Sequence, residues 1–173
     1  MTSAIYALSA ESLTPERWAP FGWLPVRDTD PRDGQSRLEF AWNDVHLNVI
    51  AHFADEIPHA DGGLVCQMLF RHLTHTQAIM VLDNDAVMVV AAPGTCLASP
   101  DDLSALHAFH LKAKDAFVLH RGTWHWGPFP VTADEVTLYN VQGLRYAEDN
   151  ECCDLATIPG TIEVFPGPKR PSR

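Results

Sequence analysis

The amino-acid sequence predicts an all-β domain built as an antiparallel sandwich or barrel. Apolar runs rich in Val, Ile, Leu, Phe and Trp recur along the chain, separated by clusters of turn-forming residues. The runs are WLPVR, SRLEFAW, VHLNVIAHF, GLVCQMLFRH, TQAIMVL, AVMVVAA, ALHAFHL, DAFVLH, EVTLYNV and TIEVF, and the separators include DPRDGQ, DGG, DND, APGT and RGT. About ten short strands without regularly interspersed helices favour this architecture over a βαβ fold.

One short helix is expected near the amino-terminal end, in the segment SLTPERWAPFG. Thr14 can cap this helix, Pro15 suits its first turn, and Gly22 is expected to end it. Further along, the segment LDND between two apolar runs predicts a hairpin. The sequence shows no internal repeat and no linker, so we expect residues 1–173 to form a single domain.

The charge and the cysteines of the chain limit its partners and its compartment. A formal net charge of −10 disfavours nucleic acid and anionic membrane surfaces, because both require a basic protein face. The segment MTSAIYALSAES lacks the features of a signal peptide, and the apolar runs are too short to span a bilayer. The four cysteines, which include the adjacent Cys152 and Cys153, form no CxxC pair. Free thiols and a cytoplasmic location are therefore expected.

Strand periodicity places two polar side chains at one end of the predicted interior. Alternate residues of a strand share a face, and in GLVCQMLFRH one face carries an apolar row that ends in His72. This row comprises Leu64, Cys66, Met68, Phe70 and His72. In TQAIMVL the inward row begins with Gln77 and continues with Ile79 and Val81. We therefore expect His72 and Gln77 to meet over an apolar floor.

The spacing of these polar residues matches the first motif of cupin barrels. Gln77 follows His72 by five residues, and a turn at Asn84 comes seven residues after Gln77. The second cupin motif is matched by HRGTWH, in which Gly122 can adopt a positive φ and direct His125 back into the barrel. His72, Gln77 and His125 are therefore expected to converge from three strands.

This convergence admits three interpretations. Two imidazoles and an amide can hold a divalent metal ion, although cupins usually carry a carboxylate at the position of Gln77. The three side chains can instead bind a substrate directly. In the third interpretation they form a hydrogen-bonded cluster with a purely structural role. The residues alone leave these alternatives open.

The remaining histidines and tryptophans of these segments are expected to have lesser roles. His75 is predicted to lie exposed in the turn that precedes its strand. His107 and His110 lie on opposite faces of ALHAFHL, so that at most one of them can face the interior. Trp124 and Trp126 flank the motif histidine, and we expect their large rings to pack the mouth of the barrel.

Four segments resemble the ureidoglycolate lyase family. They are LSAESLTPERWAPFGWLP, RHLTHTQAIMVL, LHRGTWHW and CDLATIPGTIEVF, and they follow in the family's order over nearly the whole chain. The resemblance implies a double-stranded β-helix of the cupin (jelly-roll) type, a homodimer, and cleavage of ureidoglycolate to glyoxylate and urea in the breakdown of the purine product allantoin. It also implies a divalent metal ion, for which nickel, zinc and manganese are candidates, while the alternative of a site without a metal stays open.

The chain departs from the family pattern at positions where chemistry is expected. Phe70 stands where the family commonly has Glu, two residues before the motif histidine. Trp126 replaces the second histidine of the family's Trp-His-His, and Asn140 and Val141 replace its Asp-Arg pair. A more apolar cavity favours two alternatives, namely a cupin enzyme that acts on a less polar small molecule and a non-catalytic cupin that binds a small ligand.

The resemblance also suggests which residues contact the substrate. Candidate substrate-binding residues are Phe70, Arg71, Arg121, Trp124, Trp126 and Asn140. Arg71 and Arg121 are retained from the family motif and could bind the substrate carboxylate, but strand parity directs Arg71 away from the face of its neighbour His72. Asp134, Glu135 or another acid could replace the absent family Glu.

Cleavage of ureidoglycolate requires removal of its hydroxyl proton and protonation of the departing urea nitrogen. His72 and His125 are the candidates for handling the hydroxyl proton, either directly or through a metal ion. Gln77 would orient the substrate or complete the coordination of the ion. The leading prediction is therefore an enzyme that breaks a carbon–nitrogen bond.

Overall fold

The computed structural model describes residues 5–27, 36–60, 62–158 and 160–167. The strands are β1 (Ile5–Ser9), β2 (Glu11–Ser12), β3 (Gly22–Trp23), β4 (Val45–Phe53), β5 (His59–Ala60), β6 (Gly63–Cys66), β7 (Met68–His72), β8 (Gln77–Val81), β9 (Ala86–Ala91), β10 (His107–Leu111), β11 (Ala116–Leu119), β12 (Trp124–Pro130), β13 (Glu135–Gly143), β14 (Asn150–Asp154) and β15 (Thr161–Phe165). The helix α1 spans Pro15–Trp18, and short 3-10 helices span Ala54–Glu56, Pro100–Ala105 and Leu155–Thr157. The all-β prediction is confirmed.

The strands form three sheets. Sheet A has the order β1-β15-β6-β5, sheet B has the order β14-β7-β12-β9-β10-β2, and sheet C has the order β3-β11-β8-β13-β4. Nearly all neighbouring strands are antiparallel; β1 with β15 and β2 with β10 are the parallel pairs among the described residues. Sheets B and C face each other and enclose a barrel-like interior, as expected for a cupin.

Sheet B lies between two hydrophobic cores. One core fills the space between sheets A and B, and Val87, Val89 and Ala91 of β9 contribute to it. The other core fills the space between sheets B and C, and Met88 and Val90 point into it. Both faces of β9 are thus buried, which explains why its sequence is an unbroken apolar run instead of an alternating one.

The amino-terminal helix begins as predicted but ends earlier. The Thr14 side chain accepts a hydrogen bond from the backbone N–H of Arg17 at 3.4 Å, and Pro15 occupies the first helical position. The prediction that Gly22 ends the helix is wrong, because the helix is already capped at Ala19. Gly22 instead lies in β3, where an added Cβ would stand 1.6 Å from the carbonyl oxygen of Val118. Close backbone approach, not helix termination, requires glycine there.

Several predicted strands are divided or shortened. GLVCQMLFRH is broken at Gln67, so β6 belongs to sheet A and β7 to sheet B. The carbonyl oxygen of Gln67 accepts a hydrogen bond from the backbone N–H of Leu155 instead of continuing a strand ladder. WLPVR contributes only Trp23, the second residue of β3, and SRLEFAW contributes a single bridge between Phe40 and His75. The separator DPRDGQ lies outside the described residues.

The predicted hairpin at LDND is also wrong. β8 pairs with β11 and β13 in sheet C, whereas β9 pairs with β10 and β12 in sheet B. The chain crosses from one sheet to the other at this point. The side chain of Asp83 supports the crossing by accepting hydrogen bonds from the backbone N–H groups of Asn84 at 2.6 Å and Thr137 at 3.0 Å.

Candidate active site

A cavity of about 380 Å³ lies between β7 and β12 of sheet B and β4, β8 and β13 of sheet C. It is lined by Asn48, Ile50, His52, Phe70, His72, Gln77, Ile79, His125, Trp126, Gly127, Pro128, Phe129, Leu138, Gln142, Tyr146 and Asn150. The three side chains predicted to converge, His72, Gln77 and His125, all line this cavity. The ring centroids of His72 and His125 are 5.4 Å apart.

The turn before β12 brings His125 next to His72. Gly122 has a φ of 79°, as predicted, and its backbone N–H donates to the carbonyl oxygen of His72 at 2.7 Å. β12 then pairs with β7, with His125 opposite Phe70. Side chains opposite each other on neighbouring strands share a face, so His125 and Phe70 point into the same cavity.

His75 is buried, and the prediction that it is exposed is wrong. Only 2% of its surface is accessible, and its ring stacks on that of His72 with a centroid distance of 4.6 Å and an interplanar angle of 21°. The turn folds inward because Asp149 accepts hydrogen bonds from the backbone N–H groups of Leu73 at 3.1 Å and Thr74 at 2.9 Å. Asp149 also lies 3.3 Å from Nδ1 of His75.

The three clustered imidazoles are neutral at ordinary pH. Burial, reinforced by the neighbouring His125 and His75, lowers the pKa of His72 to about 3. Burial also lowers the pKa of His125 to about 4, against the opposing effect of its hydrogen bond with the Thr123 carbonyl oxygen. The pKa of His75 is lowered chiefly by burial, although Asp149 acts in the opposite direction. Neutral imidazoles carry a lone pair that can bind a metal ion or accept a proton.

Asp149 remains ionised beside these histidines. Burial opposes its ionisation, but the hydrogen bonds from Thr74 and Leu73 and the proximity of His75 together hold its pKa below the ordinary value. Asp149 is thus the buried acid at this end of the cavity. Asp134 and Glu135 do not line the cavity; Glu135 is exposed, and the backbone carbonyl of Asp134 accepts from Ala54.

A chain of amide side chains fixes the orientation of Gln77. Its Nε2 donates to Oδ1 of Asn140 at 2.9 Å and to Oε1 of Gln142 at 3.4 Å. Asn140 in turn donates from Nδ2 to Oδ1 of Asn48 at 2.9 Å. Asn140 is fully buried behind the cavity wall and positions Gln77 instead of lining the cavity. Because both N–H groups of Gln77 face partners, its Oε1 is the atom left to bind something else.

The cluster contains several buried polar atoms that have no hydrogen-bond partner among the described residues. Within the described ranges, Nδ1 of His72, Nε2 of His75 and Oε1 of Gln77 are buried without a hydrogen-bond partner. Nδ1 of His125 lies 3.1 Å from the carbonyl oxygen of Thr123, so Nδ1 carries the proton and Nε2 carries the lone pair. Buried acceptors without donors are unfavourable, so this arrangement suits a bound cation or a ligand rich in N–H and O–H groups.

The predicted apolar substitutions do line the cavity. Phe70 and Trp126 stand in its wall together with Pro128 and Phe129. Trp124 and Trp126 both belong to the core between sheets A and B, and of the two Trp126 also lines the cavity. The Nε1 of Trp124 donates to the carbonyl oxygen of Thr95 at 3.1 Å. Alternation along β12 explains the difference between His125 and Trp124, because successive side chains point to opposite faces.

The two predicted arginines do not line the cavity. Arg71 stacks on Trp124 at 4.2 Å and pairs with Glu151 through its Nε at 2.7 Å, as strand parity leads one to expect. Arg121 donates from Nε to the carbonyl oxygen of Leu73 at 2.9 Å and is exposed. No lysine or arginine is therefore found among the described residues that line the cavity.

Neither His107 nor His110 reaches the interior. His107 lies 3.7 Å from Glu11 and His110 lies 3.1 Å from Asp85, both at the surface. The sequence reasoning missed five polar lining residues, namely Asn48, His52, Gln142, Tyr146 and Asn150. The alternation in VHLNVIAHF would have placed Asn48 and His52 on one face, whereas Tyr146 and Asn150 follow a turn with no periodic pattern.

Comparisons with known proteins agree with this architecture. The model of the ureidoglycolate lyase family matches residues 5–164 of the 173 residues. A comparison with curated proteins gives no match. No helix within the described ranges is long and apolar enough to cross a membrane. Since the family match spans nearly the whole chain, including every residue of the cavity, the chain belongs to the ureidoglycolate lyase family.

Proposed function

We propose that the chain cleaves ureidoglycolate to glyoxylate and urea in the cavity between sheets B and C. The observation that carries this proposal is the cluster of the neutral imidazoles of His72 and His125 beside the unpartnered amide oxygen of Gln77, in a chain of the ureidoglycolate lyase family. Ureidoglycolate presents a hydroxyl group, a carboxylate and a urea, and a cavity of about 380 Å³ has room for so small a molecule.

The donor set of the cavity fits a divalent cation. His72, Gln77 and His125 are the residues we assign as ligands, because their imidazoles are neutral and the Gln77 oxygen is unpartnered. Nitrogen-rich sites of this kind suit nickel or zinc better than manganese. A divalent cation bound there would neutralise the substrate carboxylate, for which the described residues of the lining include no arginine or lysine, and would make the hydroxyl more acidic.

The proton needs a carrier within the cavity. Among the described residues of the lining, His52 is the remaining imidazole besides the clustered His72 and His125. Its Nδ1 lies 3.2 Å from Glu56, an orientation that leaves Nε2 free to exchange a proton. We assign to His52 the transfer of the hydroxyl proton to the departing urea nitrogen. The hydroxyl oxygen then becomes the aldehyde oxygen of glyoxylate as the carbon–nitrogen bond breaks.

Amide side chains are suited to bind the urea group. Asn48, Gln142 and Asn150 line the cavity on the sheet C side and at the start of β14. A urea group has both donors and an acceptor, and amide side chains offer the same two functions. The apolar wall formed by Phe70 and Trp126 would exclude water from the opposite side of the substrate.

The test is release of glyoxylate from ureidoglycolate by purified protein loaded with nickel, zinc or manganese. We expect turnover that falls at least 100-fold in His125→Ala, since a ligand is lost. The surface variant His110→Ala is the matched control and should leave turnover unchanged. Absence of glyoxylate with all three metals would contradict the proposal.

A second candidate function is supported by the apolar wall. Phe70, Trp126, Pro128 and Phe129 together present a surface that suits a less polar substrate than ureidoglycolate. The chain would then be an enzyme for such a molecule or, without any turnover, a small-ligand binding protein. These alternatives are separated by two measurements: whether uncharged ureas compete with ureidoglycolate for binding, and whether any product forms. Binding without product formation supports the non-catalytic alternative.

We further propose that the protein is a homodimer. The outer face of sheet C carries exposed apolar side chains, namely Val45, Leu47, Val49 and Phe53 of β4 and Tyr139 of β13. Contiguous apolar patches of this kind mark protein–protein interfaces, and a symmetric dimer would pair the patch with its own copy. Light scattering should give twice the chain mass, and Leu47→Lys should yield a monomer that retains its fold.

The partners and compartment follow from charge and cysteine chemistry. A net charge of −10 supports a small-molecule substrate instead of nucleic acid or an anionic membrane surface. Cys66, Cys96, Cys152 and Cys153 are free, which accords with the reducing cytoplasm. We therefore propose a cytoplasmic enzyme.

A further inference from the structure

His75 is held rigidly beside the proposed cation site. Its ring lies between those of His72, at a centroid distance of 4.6 Å, and Phe40, at 6.2 Å with an interplanar angle of 9°. On another side it meets the backbone of Gly143, where an added Cβ would stand 3.1 Å from Nδ1 of His75. Such close surroundings leave the ring little freedom to rotate, so its two nitrogens have fixed directions.

Asp149 determines which nitrogen of His75 carries the proton. The carboxylate accepts hydrogen bonds from Leu73 N, Thr74 N and Thr74 Oγ1, and it lies 3.3 Å from Nδ1 of His75. An ionised carboxylate only accepts, so Nδ1 of His75 is the donor and Nε2 carries the lone pair. With its oxygens occupied by these donors, Asp149 itself is poorly placed to bind a cation.

The lone-pair nitrogen of His75 is buried without a hydrogen-bond partner among the described residues. In the described part of the chain, Nε2 of His75 is buried without a hydrogen bond, as are Nδ1 of His72 and Oε1 of Gln77. One narrow void is lined by His72, His75, Gln77 and His125 together. A ligand atom of His72 and one of His75 lie within 4.8 Å of each other and of a carboxylate oxygen of Asp149.

We propose that His75 is a fourth ligand of the divalent cation and that Asp149 is a positioning residue that orients it through Nδ1. The inference rests on the proposed cation site, not on the identity of the substrate. Carboxylate–histidine–metal arrangements are common in proteins, since the carboxylate fixes the tautomer and makes the imidazole a better ligand. The site would then contain three imidazoles and one amide oxygen, with the negative charge of Asp149 outside the ligand set but close to the ion. That charge replaces the carboxylate lost where Phe70 stands.

The test measures binding of Ni²⁺ to metal-free protein by titration calorimetry in the presence of a reducing agent, without substrate. We expect one ion per chain for the unsubstituted protein. Asp149→Asn should bind about 10- to 100-fold more weakly, as for other residues that orient a metal ligand. His75→Ala should lose at least as much affinity. His110→Ala retains all cysteines and removes an imidazole that lies outside the cluster and contacts Asp85 at 3.1 Å, so it should bind Ni²⁺ as the unsubstituted protein does.

A second readout locates the ion. Long-range proton–nitrogen NMR spectra of the histidine rings, recorded with diamagnetic Zn²⁺, should show a change at Nε2 of His75 and not at Nδ1. If Asp149→Asn fails to fold in thermal denaturation without metal, His75→Ala decides the question, because it leaves the Asp149 hydrogen bonds to Leu73 and Thr74 in place.

The outcomes are distinguishable. If the unsubstituted protein binds no divalent cation, both the cation site and the role of His75 are overturned. If it binds one ion and His75→Ala binds within about twofold of the same affinity, the cation site stands and the role of His75 is overturned. Failure of the glyoxylate assay affects neither result, because the titration contains no ureidoglycolate.

Discussion

Mild acid should destabilise the metal-free protein through two buried histidines. The pKa of His72 is lowered to about 3 and that of His125 to about 4, from an ordinary value of 6.5. As the pH falls, the unfolded chain therefore binds protons before the folded chain does. The stabilisation from keeping these rings neutral is fully present above pH 6.5 and is lost as the pH falls from 6.5 toward 4.

The size of the effect follows from the same values. At pH 5 an unfolded-state pKa of 6.5 lies 1.5 pH units above the solution pH, which corresponds to about 2 kcal/mol for each histidine, or about 4 kcal/mol for both. Many small domains have a total stability of only about 5 to 15 kcal/mol, so this loss in the free energy of unfolding should be readily measurable. Asp149 does not contribute to the fall between pH 6.5 and pH 4. Its pKa in the folded protein is lowered from 3.8, so the stabilisation from its ionised form is lost only below pH 3.8.

Urea denaturation of the metal-free protein between pH 7.5 and 4.5 measures this dependence directly. The free energy of unfolding should be level above pH 7 and should then fall toward pH 5. His125→Gln removes one of the buried rings with a lowered pKa and should reduce the slope. A free energy of unfolding that stays constant from pH 7 to pH 4.5 would show that these imidazoles are not buried in neutral form. Added Ni²⁺ should move the fall to lower pH, because bound imidazoles resist protonation.

Two further predictions concern glycines against which other groups pack, each compared with Gly167→Ala, where an added Cβ meets nothing within 4 Å. Gly143→Ala would press a methyl group against the ring of His75, so Ni²⁺ affinity measured by calorimetry should fall. A fall of about 10-fold or more is expected, which is the lower end of the loss seen when a residue that orients a metal ligand is changed. Gly22→Ala would place a Cβ within 1.6 Å of the Val118 carbonyl oxygen. Its midpoint of thermal unfolding should fall by an amount that corresponds to about 3 kcal/mol, and a midpoint equal to that of Gly167→Ala would refute the contact.

Local periodicity was sufficient to predict part of the site. The alternation Gln77, Ile79 and Val81 on β8 is observed as buried positions with half-buried neighbours between them. The glycine-containing turn before β12 directs His125 into the barrel as its spacing suggested. Both features depend on residues close together in the sequence, where strand geometry alone determines direction.

The features that could not be predicted depend on contacts between distant residues. His75 is buried because Asp149, which lies 74 residues further along the chain, pulls the turn inward. The break at Gln67 assigns the two halves of one apolar run to different sheets, which hydrophobic pattern alone does not reveal. The LDND segment looked like a hairpin, since a sharp turn between two sheets and a sharp turn within one have similar sequences.

The burial of β9 on both faces has a consequence for how its register is maintained. In a strand with one solvent-exposed face, a register shift of one residue exposes apolar side chains to water and is strongly disfavoured. In β9 the same slip would move each side chain from one buried apolar core to the other. Hydrophobic burial therefore distinguishes poorly between the two registers. The alignment must come from the ends: the backbone carbonyl of Asp85 accepts from Val131 at 3.1 Å and its side chain accepts from Ala113 at 3.3 Å. Hydrogen bonds to Asp85 thus help to fix the register of β9.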